Sequence, residues 1–194
     1  MNDTKQLWLL AGGNGAGKST FYRMFLEPKG MKFINADMIA REMNRENLED
    51  VSYKASHMAE RLRERFLDEG LSFCFETVFS HVSKIDFVAK AKSLGYEVIL
   101  VYIHLESSEL NEARVSQRVS EGGHPVPAEK IHGRLPRTVK NIVKTLSLVD
   151  SAFLLDNSSR DNPFKQIAVV RLGRKRILCD DPPQWAKDML NGIP

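Results

Sequence analysis

Ala11-Gly12-Gly13-Asn14-Gly15-Ala16-Gly17-Lys18-Ser19-Thr20 is the stretch that decides the fold. From Gly12 onward it fits G-x-x-x-x-G-K-[ST] at every fixed position. The short apolar run Leu7-Trp8-Leu9-Leu10-Ala11 precedes it and reads as a strand buried on both faces. Lys18 to Leu26 follows as a helix, stopped by Pro28 and Gly30. Strand, glycine loop and helix in that order make a phosphate cradle. The backbone N–H groups of Gly13, Asn14, Gly15, Ala16 and Gly17 turn inward, and the helix start adds the positive end of its dipole. Lys18 is then expected on the β- and γ-phosphates of ATP, Ser19 on Mg²⁺ and Thr20 on the α-phosphate.

Outward from the loop, short apolar runs alternate with helical periodicity. Strands are predicted at 32–35, 71–76, 96–103 and 152–156, with 167–171 and 175–179 forming a hairpin turned near Gly173. Helices are predicted at 38–43, 51–68, 83–94, from Ser107 or Ser108 to about Ser120, and from Pro127 to about Leu148 with an interruption at Pro136. The alternation argues for an α/β P-loop NTPase fold, a mainly parallel sheet with helices on both faces. One domain over 1–194 is expected, with a small helical lid at about 107–137 and a C-terminal hairpin and tail at about 165–194.

Composition narrows the class. The 194 residues are 42% hydrophobic and 27% charged, a balance that supplies a core. Twenty-eight basic against 25 acidic side chains give a net charge of +3, too small an excess to argue for nucleic acid or an anionic membrane. No apolar run reaches a membrane span, and Met1 to Gln6 does not read as a signal peptide. Cys74 and Cys179 match no ligand spacing, so a reducing cytoplasm is the expected compartment. Arg171, Arg174, Lys175 and Arg176 form a small basic cluster without interleaved aromatics, the pattern of a solvated hairpin.

A glycine loop alone does not separate a kinase from a motor ATPase. In an open parallel sheet, ligands gather beyond the carboxyl ends of the strands. Asp37 and Glu76 stand at two such ends. Asp37 is the candidate to accept the proton of an acceptor hydroxyl, although its place also suits a helix N-cap. Glu76 is placed to hold an acceptor hydroxyl or a Mg²⁺-bound water, with Thr77 and Ser80 beside it on the acceptor. Arg114 and Arg118 share a helical face at i,i+4, and Arg134 and Arg137 follow in the next helix. Guanidinium groups there can stabilise the charge that spreads during phosphoryl transfer. No ABC-type signature stretch occurs, and Asp156 is followed by Asn157 where a motor ATPase has glutamate. Asp156-Asn157-Ser158 is instead read as the start of a loop flanking the adenine, with Asn157 on the nucleotide.

Four segments together resemble the zeta toxin family, and more closely its chromosomal branch. They are the glycine loop, Ile34-Asn35-Ala36-Asp37 with Ile39-Ala40, Phe75-Glu76-Thr77-Val78-Phe79-Ser80, and Gly122-Gly123-His124-Pro125-Val126-Pro127. The resemblance spans about 7–157 and implies a kinase that uses ATP to phosphorylate the sugar 3′-hydroxyl of UDP-N-acetylglucosamine, with an antitoxin as partner. It implies Lys18 as the phosphate-loop lysine, Asp37 as catalytic base and Glu76 as an acid touching the sugar. It also implies two lid arginines on the γ-phosphate. Arg118 matches the first; Arg134 or Arg114 supplies the second, because His124 stands in the slot before the Pro-Val-Pro turn.

Overall fold

The computed structural model describes residues 4–44, 48–120 and 125–194. One seven-stranded sheet runs through it in the order β2-β3-β1-β4-β5-β6-β7. The strands are β1 (Gln6–Ala11), β2 (Lys32–Ile34), β3 (Phe73–Thr77), β4 (Glu97–His104), β5 (Ser151–Asp156), β6 (Lys165–Arg171) and β7 (Arg174–Ile177). β2 to β5 pair in parallel around β1, and β6 and β7 add an antiparallel hairpin. β1 and β4 lie at the centre, which is why Leu9–Ala11 and Val98–Ile103 are continuously apolar and buried.

The helices are α1 (Lys18–Phe21), α2 (Ala36–Met43), α3 (Leu48–Asp68), α4 (Ser83–Ser93), α5 (Ser108–Ser120), α6 (Ala128–Thr145) and α7 (Gln184–Met189). The two faces of the sheet are unequal. On one, Leu7, Leu9, Phe73, Phe75, Leu100 and Leu154 pack against α3, α4, α6 and α7. On the other, Leu10, Cys74, Val101, Ile103 and Leu155 pack against a smaller set that includes Ala16, Tyr22, Leu26, Leu105 and Phe164. The helix predicted over 18–26 starts as α1 but widens to a π-helical turn at Tyr22–Leu26 and ends in a 3₁₀ turn. The widened turn accompanies Tyr22 stacking on Phe33 at 3.9 Å and donating to the Met31 carbonyl at 2.7 Å.

Two boundaries differ from the sequence reading for physical reasons. α6 runs straight through Pro136. Burial of Ile131, Thr138, Asn141, Ile142 and Thr145 along one face outweighs the roughly 3 kcal/mol that an interior proline costs. α2 is capped by Asn35, whose side-chain oxygen accepts from the Met38 N–H at 3.1 Å. Asp37 is therefore not needed as a cap.

The β6–β7 turn takes positive φ at Leu172 (48°) and Gly173 (74°), as a tight hairpin requires. The cationic cluster lies along this exposed edge, where charge discourages further strand pairing. Trp185 of α7 docks on the tip of β4, its ring stacked 4.2 Å from His104, and its Nε1 donates to Asp156 at 3.4 Å. Burial there pushes the His104 imidazole down to about 4 against the opposing pull of Asp156, so it is neutral at pH 7. No helix among the described residues is long and apolar enough to cross a membrane.

Candidate functional site

The glycine loop leaves β1 and enters α1 under constraint from three sides. Gly17 has φ +98°, and a Cβ there would lie 2.6 Å from Asn157 Nδ2. A Cβ on Gly13 would lie 2.6 Å from Asn111 Nδ2 and 2.8 Å from Leu135 Cδ2. Asn157 itself donates to the Ala16 carbonyl at 2.9 Å and accepts from the Phe164 N–H at 3.2 Å. Asn111, from α5, donates to the Asn14 carbonyl at 2.6 Å. Both asparagines are buried. They latch the loop to β5 and to α5.

Lys18 is buried at the foot of the loop, with Nζ donating to the carbonyls of Gly12 (3.0 Å) and Gly13 (2.8 Å). Desolvation pushes its pKa down; the carboxylates of Glu76 and Asp37 pull it back up and Arg118 adds to the fall. Those opposing fields place Lys18, Glu76, Asp37 and Arg118 in one neighbourhood. Ser19 Oγ donates to Glu76 Oε2 at 2.6 Å, so hydroxyl and carboxylate already meet at the mouth of the loop. This pair fits a Mg²⁺ ion, whose preferred ligands are oxygens and water. Thr20 is exposed on the first turn of α1.

Beside the loop opens a cavity of about 260 Å³ that Asn14, Asp37, Arg41, Arg118, Lys130 and Arg134 help to line. α2 brings Asp37 and Arg41, α5 brings Arg118, and α6 brings Lys130 and Arg134. Among the described residues the side chains of Asp37, Arg41, Lys130 and Arg134 make no hydrogen bond or ion pair. α5 and α6 are tied together by His132 Nε2 and Glu112 Oε2 at 3.0 Å.

Several sequence-predicted residues lie elsewhere. Arg114 and Arg118 share a face of α5 but their side chains diverge. Arg118 lines the cavity, whereas Arg114 reaches the Ser158 carbonyl at 3.4 Å. Burial and the nearby Arg160 lower the Arg114 pKa, and Asp156 opposes them. Thr77 does not line the cavity: its Oγ1 accepts from the Phe79 N–H at 2.9 Å and shapes a turn in which buried Phe79 takes φ 63°. Thr138 and Asn141 of α6 hold that turn, donating to the carbonyls of Val78 (2.7 Å) and Phe79 (3.0 Å). Ser80 also lies outside the cavity lining. The Asn157 side chain is engaged with the backbone of the loop and of Phe164. Gly122, Gly123 and His124 lie outside the described residues.

The sequence reading missed Arg41, Lys130 and Asn111. A signal for two of them was present: Arg41 follows Asp37 by four residues and Lys130 precedes Arg134 by four, the spacing of neighbours on a helix face. Asn111 carried none.

A family model described as Zeta toxin matches residues 2–159. A Haemophilus influenzae protein described as uncharacterized is 33% identical over 127 residues, covering 62% of this chain and 90% of that one. Among solved structures, one from the chromosomal PezAT toxin–antitoxin system of Streptococcus pneumoniae superposes with a TM-score of 0.65 at 19% identity, covering 98% of this chain and 84% of that one. The AvrRxo1-ORF1:-ORF2 complex with ATP gives a TM-score of 0.75 at 17% identity, covering 99% of this chain and 64% of that one. At such identities the structural likeness shows the shared fold, and the chain spans just under two thirds of the second neighbour's length.

Proposed function

This chain belongs to the zeta toxin family, and from that premise we propose that it is an ATP-dependent P-loop kinase that transfers the γ-phosphoryl group of ATP to a hydroxyl of a small acceptor held in the cavity beside the loop. The observation that carries the reading is the exposed carboxylate of Asp37, which has no hydrogen bond or ion pair among the described residues and lines the same cavity as Arg118 and Arg134. A carboxylate without internal partners has its lone pairs available for a substrate proton.

In this reading the loop N–H groups and Lys18 hold the phosphates of ATP. Ser19 would hold Mg²⁺ with Glu76 beside it, and the ion would supply charge neutralisation to the phosphates. The acceptor oxygen bonds to the γ-phosphorus as the bond to the β-bridging oxygen breaks. The hydroxyl proton passes to Asp37 and ADP leaves with the bridging oxygen. Arg118 and Arg134 stabilise the negative charge on the transferring group. Arg114, on the side of α5 that meets Ser158, is assigned to the nucleotide rather than the acceptor. Asn157 holds the loop in shape for the phosphates.

The acceptor that the family offers is a UDP-N-acetyl sugar such as UDP-N-acetylglucosamine, and the cations around the cavity support an anionic compound of that kind. An antitoxin protein is the proposed partner. The toxin–antitoxin system among the structural neighbours supports this, and the cytoplasm, where ATP is found, is the proposed compartment. The test is labelled ATP with UDP-sugars, nucleosides and short oligonucleotides, followed by mass spectrometry. ADP release that depends on an acceptor, with a product heavier by one phosphoryl group, is expected. Fast ATP hydrolysis without any acceptor and without a phosphorylated product would overturn it.

A further inference from the structure

In a trans peptide the carbonyl and the N–H of the next residue point in opposite directions. A side chain that holds a loop carbonyl therefore turns the following N–H away from itself. Two side chains do this around the glycine loop. Asn111 of α5 donates to the Asn14 carbonyl at 2.6 Å, and Asn157 to the Ala16 carbonyl at 2.9 Å. The N–H groups that follow belong to Gly15 and Gly17, and neither has an acceptor among the described residues. The Ala16 N–H between them is spent on the Gly13 carbonyl at 3.2 Å. Gly15 and Gly17 thus present donors of the kind that cradle an anion.

The two holds differ in what stands behind them. Asn157 is anchored to the sheet: its N–H donates to the His104 carbonyl at 2.9 Å, and its side-chain oxygen accepts from the Phe164 N–H. Asn111 is 1% exposed, yet its side-chain oxygen is buried without a hydrogen bond. A buried acceptor left unpaired is unfavourable, so packing alone would favour an apolar residue there. What the amide adds is its bond to Asn14.

That bond ties the loop to one face of α5. A Cβ on Gly15 would lie 2.8 Å from the Asn111 carbonyl oxygen, 3.2 Å from Arg114 Cβ and 3.5 Å from Val115 Cγ2. Residues 111, 114, 115 and 118 recur at the spacing of neighbours on a helix face. The face that rests on Gly15 therefore runs on to Arg118, which lines the cavity.

We propose that Asn111 is a positioning residue that couples the two halves of the site: it aims the Gly15 N–H at the nucleotide phosphates and, through α5, sets where Arg118 stands at the cavity. The inference rests on the nucleotide site of the kinase reading and adds how that site is tied to the arginine beside it. A phosphate that draws on the Gly15 N–H acts on Arg118 through one bond and one rigid helix. By linkage, whatever engages Arg118 acts back on Gly15.

The test has two arms, both on the full chain and neither needing an acceptor. In the first, amide-proton NMR follows Gly15 and Gly17 as a non-hydrolysable ATP analogue is added with Mg²⁺. A hydrogen bond to phosphate moves an amide proton downfield, so both signals should move in wild type. Asn111→Ala should remove most of the Gly15 shift and leave that of Gly17, whereas Asn157→Ala should do the reverse. A Gly15 shift that is the same in wild type and Asn111→Ala overturns this inference alone. Glycine signals that ignore the analogue in wild type overturn the nucleotide reading with it.

In the second arm, calorimetry measures binding of ADP with aluminium fluoride, a mimic of the transferring phosphoryl group. Asn111→Ala should weaken binding about threefold to tenfold. Combined with Arg118→Ala, its loss should overlap, the double variant falling short of the product of the single losses by about threefold or more. Asn157→Ala with Arg118→Ala should instead multiply to within about twofold, because Asn157 acts from the sheet. Losses that multiply in the Asn111 cycle overturn the coupling, as does an Arg118→Ala variant that binds the mimic like wild type. Where Asn111→Ala fails to fold by circular dichroism, Asn111→Ser, whose hydroxyl is too short to reach the Asn14 carbonyl, replaces it in both arms.

Discussion

The phosphate loop and the cavity beside it are built on opposite plans. In the loop, polar groups are spent on one another: Lys18 bonds to Gly12 and Gly13, Asn157 to Ala16, and Asn111 to Asn14. Its glycines are hemmed in so closely that a methyl group at position 13 or 17 would meet side-chain atoms within 3 Å. In the cavity the side chains of Asp37, Arg41, Lys130 and Arg134 meet no such partners among the described residues. The difference teaches where each region finds its binding energy. The loop is shaped before ATP arrives, so little ordering is left to do. The cavity instead gathers charged side chains that are left to meet a ligand, and in the proposed reading it selects by charge.

That contrast can be broken at its most exposed point. Asp37→Asn keeps the shape of the cavity and removes the proton acceptor. Steady-state kinetics should show kcat falling by about 10²–10⁴, the range for a general base. Equilibrium binding of an ATP analogue should stay within a factor of about two, because the loop is intact. Full activity in Asp37→Asn would end the base assignment.

Asn157→Ala tests the opposite plan. It leaves the Ala16 carbonyl and the Phe164 N–H without their side-chain partner in a buried setting. Chemical denaturation should report a loss of about 2–6 kcal/mol, from one to three for each of the two orphaned groups. ATP affinity should fall with it, whereas an acceptor-site change would leave stability alone. The smallest expected effect belongs to Arg114→Ala. If Arg114 serves the nucleotide, the ATP KM should rise about threefold to tenfold while the acceptor KM holds. A rise in the acceptor KM instead would return Arg114 to the cavity.

The helix walls show why the fold was more legible than the site. Apolar runs and glycines report on local chain geometry, so β1, the loop, α1 and the parallel strands could be read from residue order. The continuity of α6 through Pro136 could not be, because a proline inside a helix is unfavourable locally and the packing of residues such as Ile131, Thr138 and Ile142 is needed to outweigh it. The sequence left Asp37 open between base and helix cap until the bond from the Met38 N–H to the Asn35 side chain showed that the cap is Asn35. Arg114 and Arg118 share a helix face by spacing. Yet side chains of that length diverge, one to Ser158 and the other into the cavity.

By itself the sequence determined a nucleotide-gripping loop and the acid that follows the second strand. A contiguous motif carries its own backbone geometry, and a strand end in a parallel sheet points to one place. Only the tertiary structure decided which cations surround that acid. Arg41, Arg118, Lys130 and Arg134 come from three helices whose convergence depends on how each packs around the sheet, and no local pattern encodes a distance between helices.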